Sequence, residues 1–366
     1  MVILGSCDDD DEDFIYTTTA DLDIPKFAYS NGVLLPDGRV VFTPYDANTV
    51  GIFNTATHAF STVEGITDAV SSSGSVLLPD GRVLFVPSYN TSIGIFNPAT
   101  NGYSTIPGAP GSGASYSGGV LLPDGRVVFV PSTAKTIGIF DTVTNTYSDI
   151  AAAVAPGGQF MYYGGLLLPD GRVLFVPRYA TTIGIFDPAT NAYSTIPGVS
   201  IVENAYLGGV LLPDGRVIFA PYCGKTIGIF NSVTNEFSTI PGAPGNWAYR
   251  GGVLLPDGRV LFLPGTSKTL GIFNPVKNTY SEIAGLPGLS AYNGGVLLPD
   301  GRILLGPCKY RHVGIITLSD EKAKRRAQAR TEAVKQELIA AAWHPRRMTA
   351  WCLDTDERRE LADMGL

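Results

Sequence analysis

Short apolar runs of five or six residues, each closed by a turn signal, recur along most of the chain. The copy that begins at Tyr162 reads YYGGLLLPDGRVLFVPRYATTIGIFDPATNAYSTIPG. GGLLLP precedes Asp-Gly, the strongest short hairpin signal, and RVLFVP ends on a proline that stops a strand. TIGIF runs into Asp-Pro-Ala-Thr-Asn, a cluster of turn formers, and AYSTI stops at Pro-Gly. Such strands and turns predict an antiparallel four-stranded meander with no helix. LLPDGR or a near copy occurs seven times, with its proline at Pro36, Pro79, Pro123, Pro169, Pro213, Pro256 and Pro299. A lone sheet of this kind cannot bury both faces, whereas radial stacking can, and a repeat of about 44 residues with four strands is the propeller period. The predicted fold is therefore all-β: a seven-bladed β-propeller over residues 14–318, between an acidic tail (1–13) and a helical tail (319–366).

The seventh copy stops after its third strand, at Val313-Gly-Ile-Ile-Thr-Leu318. Phe14-Ile-Tyr-Thr-Thr-Thr-Ala20, ahead of the first copy, matches the missing fourth strand, with Tyr16 in the place of Phe60, Tyr103, Tyr147, Tyr193, Phe237 and Tyr280. Residues 14–20 are thus expected to supply the outer strand of the last blade and cover an edge that would otherwise be exposed.

With a strand like VLLPDGRVLFV followed by one like IGIFDPATN and an aromatic outer strand, the unit resembles a kelch-type blade. That resemblance implies the fold and strand order and carries no catalytic residues. The unit departs from the family in having Val-Pro where Gly-Gly usually follows the second strand, and Tyr or Phe for the outer-strand tryptophan. The closing AWHPRRMTAWCLDTDE resembles short C-terminal tails of proteins from large DNA viruses of algae and protists.

Composition changes this picture little. Of 366 residues, 45% are hydrophobic and 16% charged, which excludes a disordered chain. A net charge of −7 argues against general nucleic-acid binding, and no apolar run is long enough to span a membrane as a helix. Leu4-Gly-Ser-Cys7 resembles a lipobox, but its apolar stretch is short and lacks a positive start, so no signal peptide is expected. A cytoplasmic or virion-associated location is the expectation. Four separated cysteines suggest neither a disulfide framework nor a zinc site. From Ser319 the sequence turns to helix formers, with a helix expected to about Trp343. Trp343, Trp351 and Leu353 are large apolar groups on a short segment and are expected to dock on the ring or on a partner.

The chemistry is expected on the face that carries the loops between second and third strands and those entering the next blade. Eight of the nine cations of residues 1–319 outside the Asp-Gly-Arg turns fall there, among them Lys135, Arg178, Lys225, Arg250, Lys268 and Arg311. Tyr29, Tyr116, Tyr162, Tyr206, Tyr249 and Tyr292 each stand two residues before the glycine pair of the inner strand or its variant; copy 2 has Ser72. Two readings follow. The phenols ring the mouth of the central channel and, beside the cations, bind a glycan or an anionic ligand, or each tyrosine packs between blades and recurs because the blade recurs. The repeated Asp-Gly-Arg reads as turn chemistry, with Arg126 expected to reach the neighbouring Asp80 or Asp170. Copper chemistry, known on some kelch-like rings, needs converging Tyr, Cys and His, and only His312 lies in the relevant loops. No metal or cofactor is expected.

Three functions are thus on the table: a non-catalytic binding or scaffold propeller with a protein or other macromolecular partner, a lectin-like module, and a polymer-acting enzyme using Asp46, Glu64, Asp68 or Glu203. The first is preferred, because no acid, base, nucleophile or metal set converges in the sequence.

Overall fold

The structure, a computed structural model, describes residues 14–66, 72–110, 113–151, 160–199, 203–286 and 292–318, together with the backbone of 2–4. Trp343, Trp351, Leu353, the expected C-terminal helix, Cys7, Cys352 and Asp68 lie outside the described residues. Seven antiparallel sheets form seven blades. Their inner strands are Tyr29–Leu34, Ser72–Leu77, Tyr116–Leu121, Tyr162–Leu167, Tyr206–Leu211, Tyr249–Leu254 and Tyr292–Leu297. Each packs beside the next, and the last packs on the first, so the ring is closed. Among the described residues there is no helix, and none long and apolar enough to cross a membrane.

Closure follows the sequence expectation. Phe14–Thr18 pairs antiparallel with Gly314–Leu318 as the outer strand of blade 7, in the register Phe14↔Leu318 to Thr18↔Gly314. Phe14 and Tyr16 are buried in the wedge between blades 6 and 7. The sequence had placed Val2–Leu4 in the tail; it adds a fifth strand outside this one.

Alternation along the second and third strands sends one set of side chains into each neighbouring wedge. In the wedge between blades 3 and 4, for example, Val128, Val130, Ile137 and Ile139 of blade 3 meet Tyr162, Val173, Phe175 and Phe186 of blade 4. The glycine of each TIGIF strand is explained by the tyrosine above it. A Cβ on Gly271 would lie 2.8 Å from Cζ of Tyr249, and in blade 2, where Ser72 replaces the tyrosine, a Cβ on Gly94 meets the Tyr103 hydroxyl instead. Every inner strand is bulged just after its first residue. The bulge brings the next glycines together at the axis: a Cβ on Gly118 would stand 3.2 Å from Cα of Gly164, and Gly118 itself has φ of 137°.

On the Asp-Gly face, each arginine pairs with the aspartate of its own turn, as in Arg126–Asp124 at 2.7 Å. This corrects the expected reach of Arg126 to Asp80 or Asp170: the turn folds the chain so that Asp124 also accepts the Arg126 backbone N–H at 3.0 Å. The same Nη2 also donates to the following blade, in Arg126 to the Pro188 carbonyl and in Arg216 to that of Pro275. Across the closing joint, Arg302 of blade 7 meets the Thr55 carbonyl and His58 Nε2 of blade 1.

Candidate functional site

The six repeated tyrosines do not ring the channel mouth. Tyr29, Tyr116, Tyr162, Tyr206, Tyr249 and Tyr292 are each at most 1% exposed, because the strand alternation turns them away from the axis and into the wedges. Their hydroxyls are satisfied there, Tyr162 by Tyr193 at 2.6 Å, Tyr249 by Tyr280 at 2.7 Å and Tyr29 by Thr49 at 2.8 Å. Burial pushes the Tyr29 phenol up to about 12. The packing reading of these residues is the one the geometry supports.

The next residue of each inner strand, after the tyrosine or Ser72, is Ser30, Ser73, Ser117, Tyr163, Leu207, Arg250 and Asn293, and all of these but Ser30 line the axial cavity. Blades 1 to 3 carry buried serines here, whose hydroxyls donate to the carbonyls of Ser72, Tyr116 and Tyr162 in the following blade. Blades 4 to 6 carry large side chains. Asn31, Ser73, Tyr163, Leu207, Arg250, Asn293 and the axial glycines enclose a cavity of about 240 Å³.

A second tier comes from the residue after each second-strand proline, which includes Tyr45, Arg178, Tyr222 and Cys308. The backbone of Arg178 is pinned by hydrogen bonds to Met161 and Ala205. Its guanidinium lies 5.1 Å from the ring centre of Phe160 and 5.6 Å from those of Tyr163 and Tyr179. Nε donates to Asn204 at 2.7 Å, and the Asn204 amide in turn donates to the Tyr179 hydroxyl. Arg250 lies 5.6 Å from the Tyr222 ring centre and donates from Nη2 to its hydroxyl at 3.3 Å. Nε of Arg250 is buried and has no hydrogen-bond partner.

Tyr163 joins the two cations. Burial raises its phenol, and both Arg250 and Arg178 oppose that rise electrostatically. Cys308 is raised by burial, again opposed by Arg250. Neither arginine is ion-paired among the described residues; the Asp46 carboxylate shares the electrostatic neighbourhood of Arg250 at Tyr45 and Cys308, and a half-buried guanidinium without a direct carboxylate partner favours an added anion.

The other predicted cations stand further out. Lys135, Lys225, Lys268 and Arg311 are exposed, each one to three residues ahead of a third strand, and Arg311 is already paired with Asp21 at 3.0 Å. The expected positive arc therefore divides into two cations at the mouth and four on the periphery. Phe160, Tyr163, Tyr179, Tyr222 and Asn204 were not singled out in the sequence. The available signal was internal: the residue after each tyrosine changes from Ser to Tyr, Leu and Arg while the strand around it repeats.

A larger groove of about 790 Å³ lies at the rim around blade 5, but its cation, Arg216, is paired with Asp214. Among the described residues no group of three or more His, Cys, Asp and Glu is placed to hold a metal ion. Cys223 and Cys308 are free thiols. His312 Nδ1 meets the Thr19 carbonyl at 3.2 Å and so sits on the closing segment.

No family model and no curated protein matches the chain, so the resemblances to kelch blades and to viral tails gain no support. Solved structures do match. A streptogramin B lyase superposes with a TM-score of 0.72 at 20% identity, over 84% of this chain and 98% of that one. A catalytically inactive histidine-to-alanine variant of virginiamycin B lyase from Staphylococcus aureus, solved with quinupristin, gives 0.72 at 16%, over 83% and 99%. A fungal alcohol oxidase of the AA5 family, in complex with copper, gives 0.63 at 14%, over 84% and 78%. At these identities the likeness is one of fold, and this chain is a seven-bladed β-propeller that shares its architecture with enzymes.

Proposed function

We infer that the protein is a non-catalytic binding propeller, and that its ligand, or one projecting group of a larger partner, seats at the axial mouth of the loop face. The observation that carries this reading is Arg250, which lines the cavity, with Arg178 against the Tyr163 ring at the cavity's edge, both held by aromatic rings and neither in an ion pair among the described residues. Such charges favour an anion from outside the chain, because an uncompensated charge removed from water is costly. The asymmetry of the mouth supports the reading further. Six blades repeat their buried tyrosine, yet the axial position after it varies, and recognition needs such variation where packing does not.

The lectin-like reading loses its tyrosine ring to the core. The enzyme reading has its support in the lyase and oxidase folds. The histidines within the described residues are His58, on the opposite face beside Arg302, and His312, against Thr19. The expected acid or base residues Asp46, Glu64 and Glu203 form no cluster with them.

The test is thermal stabilisation of the full chain across a panel of small metabolites, repeated with Arg178→Ala and Arg250→Ala. Stabilising compounds should lose their effect in both variants. Stabilisation unaffected by either variant, or conversion of a stabilising compound to product, overturns the reading.

A further inference from the structure

We propose that the mouth cavity takes a single-ring aryl oxyanion, a flat aromatic group bearing a carboxylate or phosphate. This rests on the reading of the mouth as the binding site and names the ligand class. Three features of the cavity select that chemistry.

The first is charge. Arg178 uses Nε on Asn204 and Arg250 uses Nη2 on Tyr222, both neutral partners, so both cations keep their charge and their remaining donors for an incoming group. A planar guanidinium presents paired N–H groups that match two oxygens of a carboxylate or phosphate. The buried Nε of Arg250, without any partner, marks the same side chain as incompletely satisfied.

The second is the surrounding surface. Tyr163 and Leu207 line the cavity, and the Tyr222 ring lies against Arg250. Tyr45, which shares the electrostatic neighbourhood of Tyr163 and Arg250, is 36% exposed. Rings and an aliphatic side chain beside two cations suit a flat apolar body that carries its charge at one end.

The third is size. The cavity is small, about 240 Å³, and open to solvent on one side. That suits one six-membered ring with one oxyanion as the group seated at the axis.

Titration calorimetry on the full chain tests this with four probes: benzoate, phenyl phosphate, benzamide and inorganic phosphate. Benzoate or phenyl phosphate should bind, and benzamide, the neutral isostere of benzoate, should bind at least about tenfold more weakly. Inorganic phosphate, which lacks the ring, should also be at least about tenfold weaker than phenyl phosphate. Preference between benzoate and phenyl phosphate assigns the oxyanion. Arg178→Gln and Arg250→Gln should each weaken the bound aryl anion at least about tenfold, while Arg216→Gln, in the rim groove, leaves it unchanged. Having two mouth variants keeps the test open if one of them fails to fold.

Benzamide binding as tightly as benzoate, with both lost in the Gln variants, overturns the oxyanion but leaves the mouth as the binding site. Inorganic phosphate binding as tightly as phenyl phosphate overturns the aryl part. Benzoate or phenyl phosphate binding that survives both Gln substitutions counts against the mouth itself. Failure of both aryl anions to bind wild type overturns the proposal.

Discussion

Replacing Tyr162 by alanine separates packing from recognition at the repeated tyrosine. The side chain is 0% exposed and stands in the wedge with Val130, Ile137 and Phe175, its ring centre 5.8 Å from that of Phe175. Truncation there creates a cavity, and a large aromatic lost from a core costs about 3–5 kcal/mol. The hydroxyl of Tyr193, which meets Tyr162 at 2.6 Å, loses its partner; being half-buried it regains water, so this adds at most about 1 kcal/mol. Against a total stability of about 5–15 kcal/mol, the alanine variant is close to unfolding. Tyr162→Phe keeps the ring and removes the hydrogen bond to Tyr193 and a longer one to Thr182 at 3.5 Å, for about 0.5–1.5 kcal/mol. Equilibrium urea unfolding of wild type and the two variants reads these differences. Wild-type-like stability in Tyr162→Ala, combined with loss of a mouth ligand, would refute the reasoning and return the tyrosine to the binding surface.

Other perturbations probe the ring. Phe14→Ala, in the closing strand, should cost about 3–5 kcal/mol, and deletion of residues 1–20 should lower the midpoint of the whole ring; loss of only a local protease-sensitive end would contradict closure. Gly118→Ala puts a Cβ against the Gly164 backbone at a φ of 137° and should cost more than about 1 kcal/mol, measured by the same unfolding. His58→Asn should leave stability unchanged or raise it by a few tenths of a kcal/mol, read as a small shift in melting temperature. Asn101, Asn145, Asn191, Asn235 and Asn278 take the same left-handed turn position in other blades, and Asn145 accepts from Arg82 as His58 meets Arg302.

Alkali offers a separate check. Tyr29, Tyr116, Tyr206, Tyr249 and Tyr292 are all raised by burial, Tyr29 to about 12. A phenol whose folded pKa is raised contributes stability that is whole below its unfolded value of about 10 and is lost as pH climbs through the folded value. Tyrosinate absorbance should therefore lag at pH 10 and rise together with unfolding above it; a normal titration of all tyrosines in folded protein would contradict their burial. In acid the sign reverses. Hydrogen bonds from Arg39 hold Asp37 below the usual carboxylate range, so that contribution is present above about pH 4 and fades below it.

Much of the architecture was legible because it is periodic. The proline spacing, the Asp-Gly turns and the Tyr16 match gave seven blades and their closure from pattern alone. Val2–Leu4 escaped because three apolar residues beside an acidic run have no period to read. The reach of Arg126 was misplaced because a sequence gives turn type but not the direction in which a long side chain leaves it. At the mouth the sequence left two readings of the tyrosines open, and strand alternation decides between them: adjacent residues face opposite ways, so Tyr162 enters the core and Tyr163 faces the cavity. Arg178 and Arg250 were named as cations of the loop face, but the supports of Arg178 come from three separate loops, and the packing of blade 5 on blade 4 is what brings Phe160, Tyr179 and Asn204 to one guanidinium.

The account rests on two guanidiniums without a direct carboxylate partner, Arg250 in the axial cavity and Arg178 against Tyr163 at its edge. A crystal structure of the full chain grown with benzoate would examine it directly. The account predicts density for the carboxylate within hydrogen-bond distance of Arg178 or Arg250, with its ring against Tyr163 or Tyr222. A mouth holding only water, with both guanidiniums turned to carboxylates of the chain itself, would contradict it.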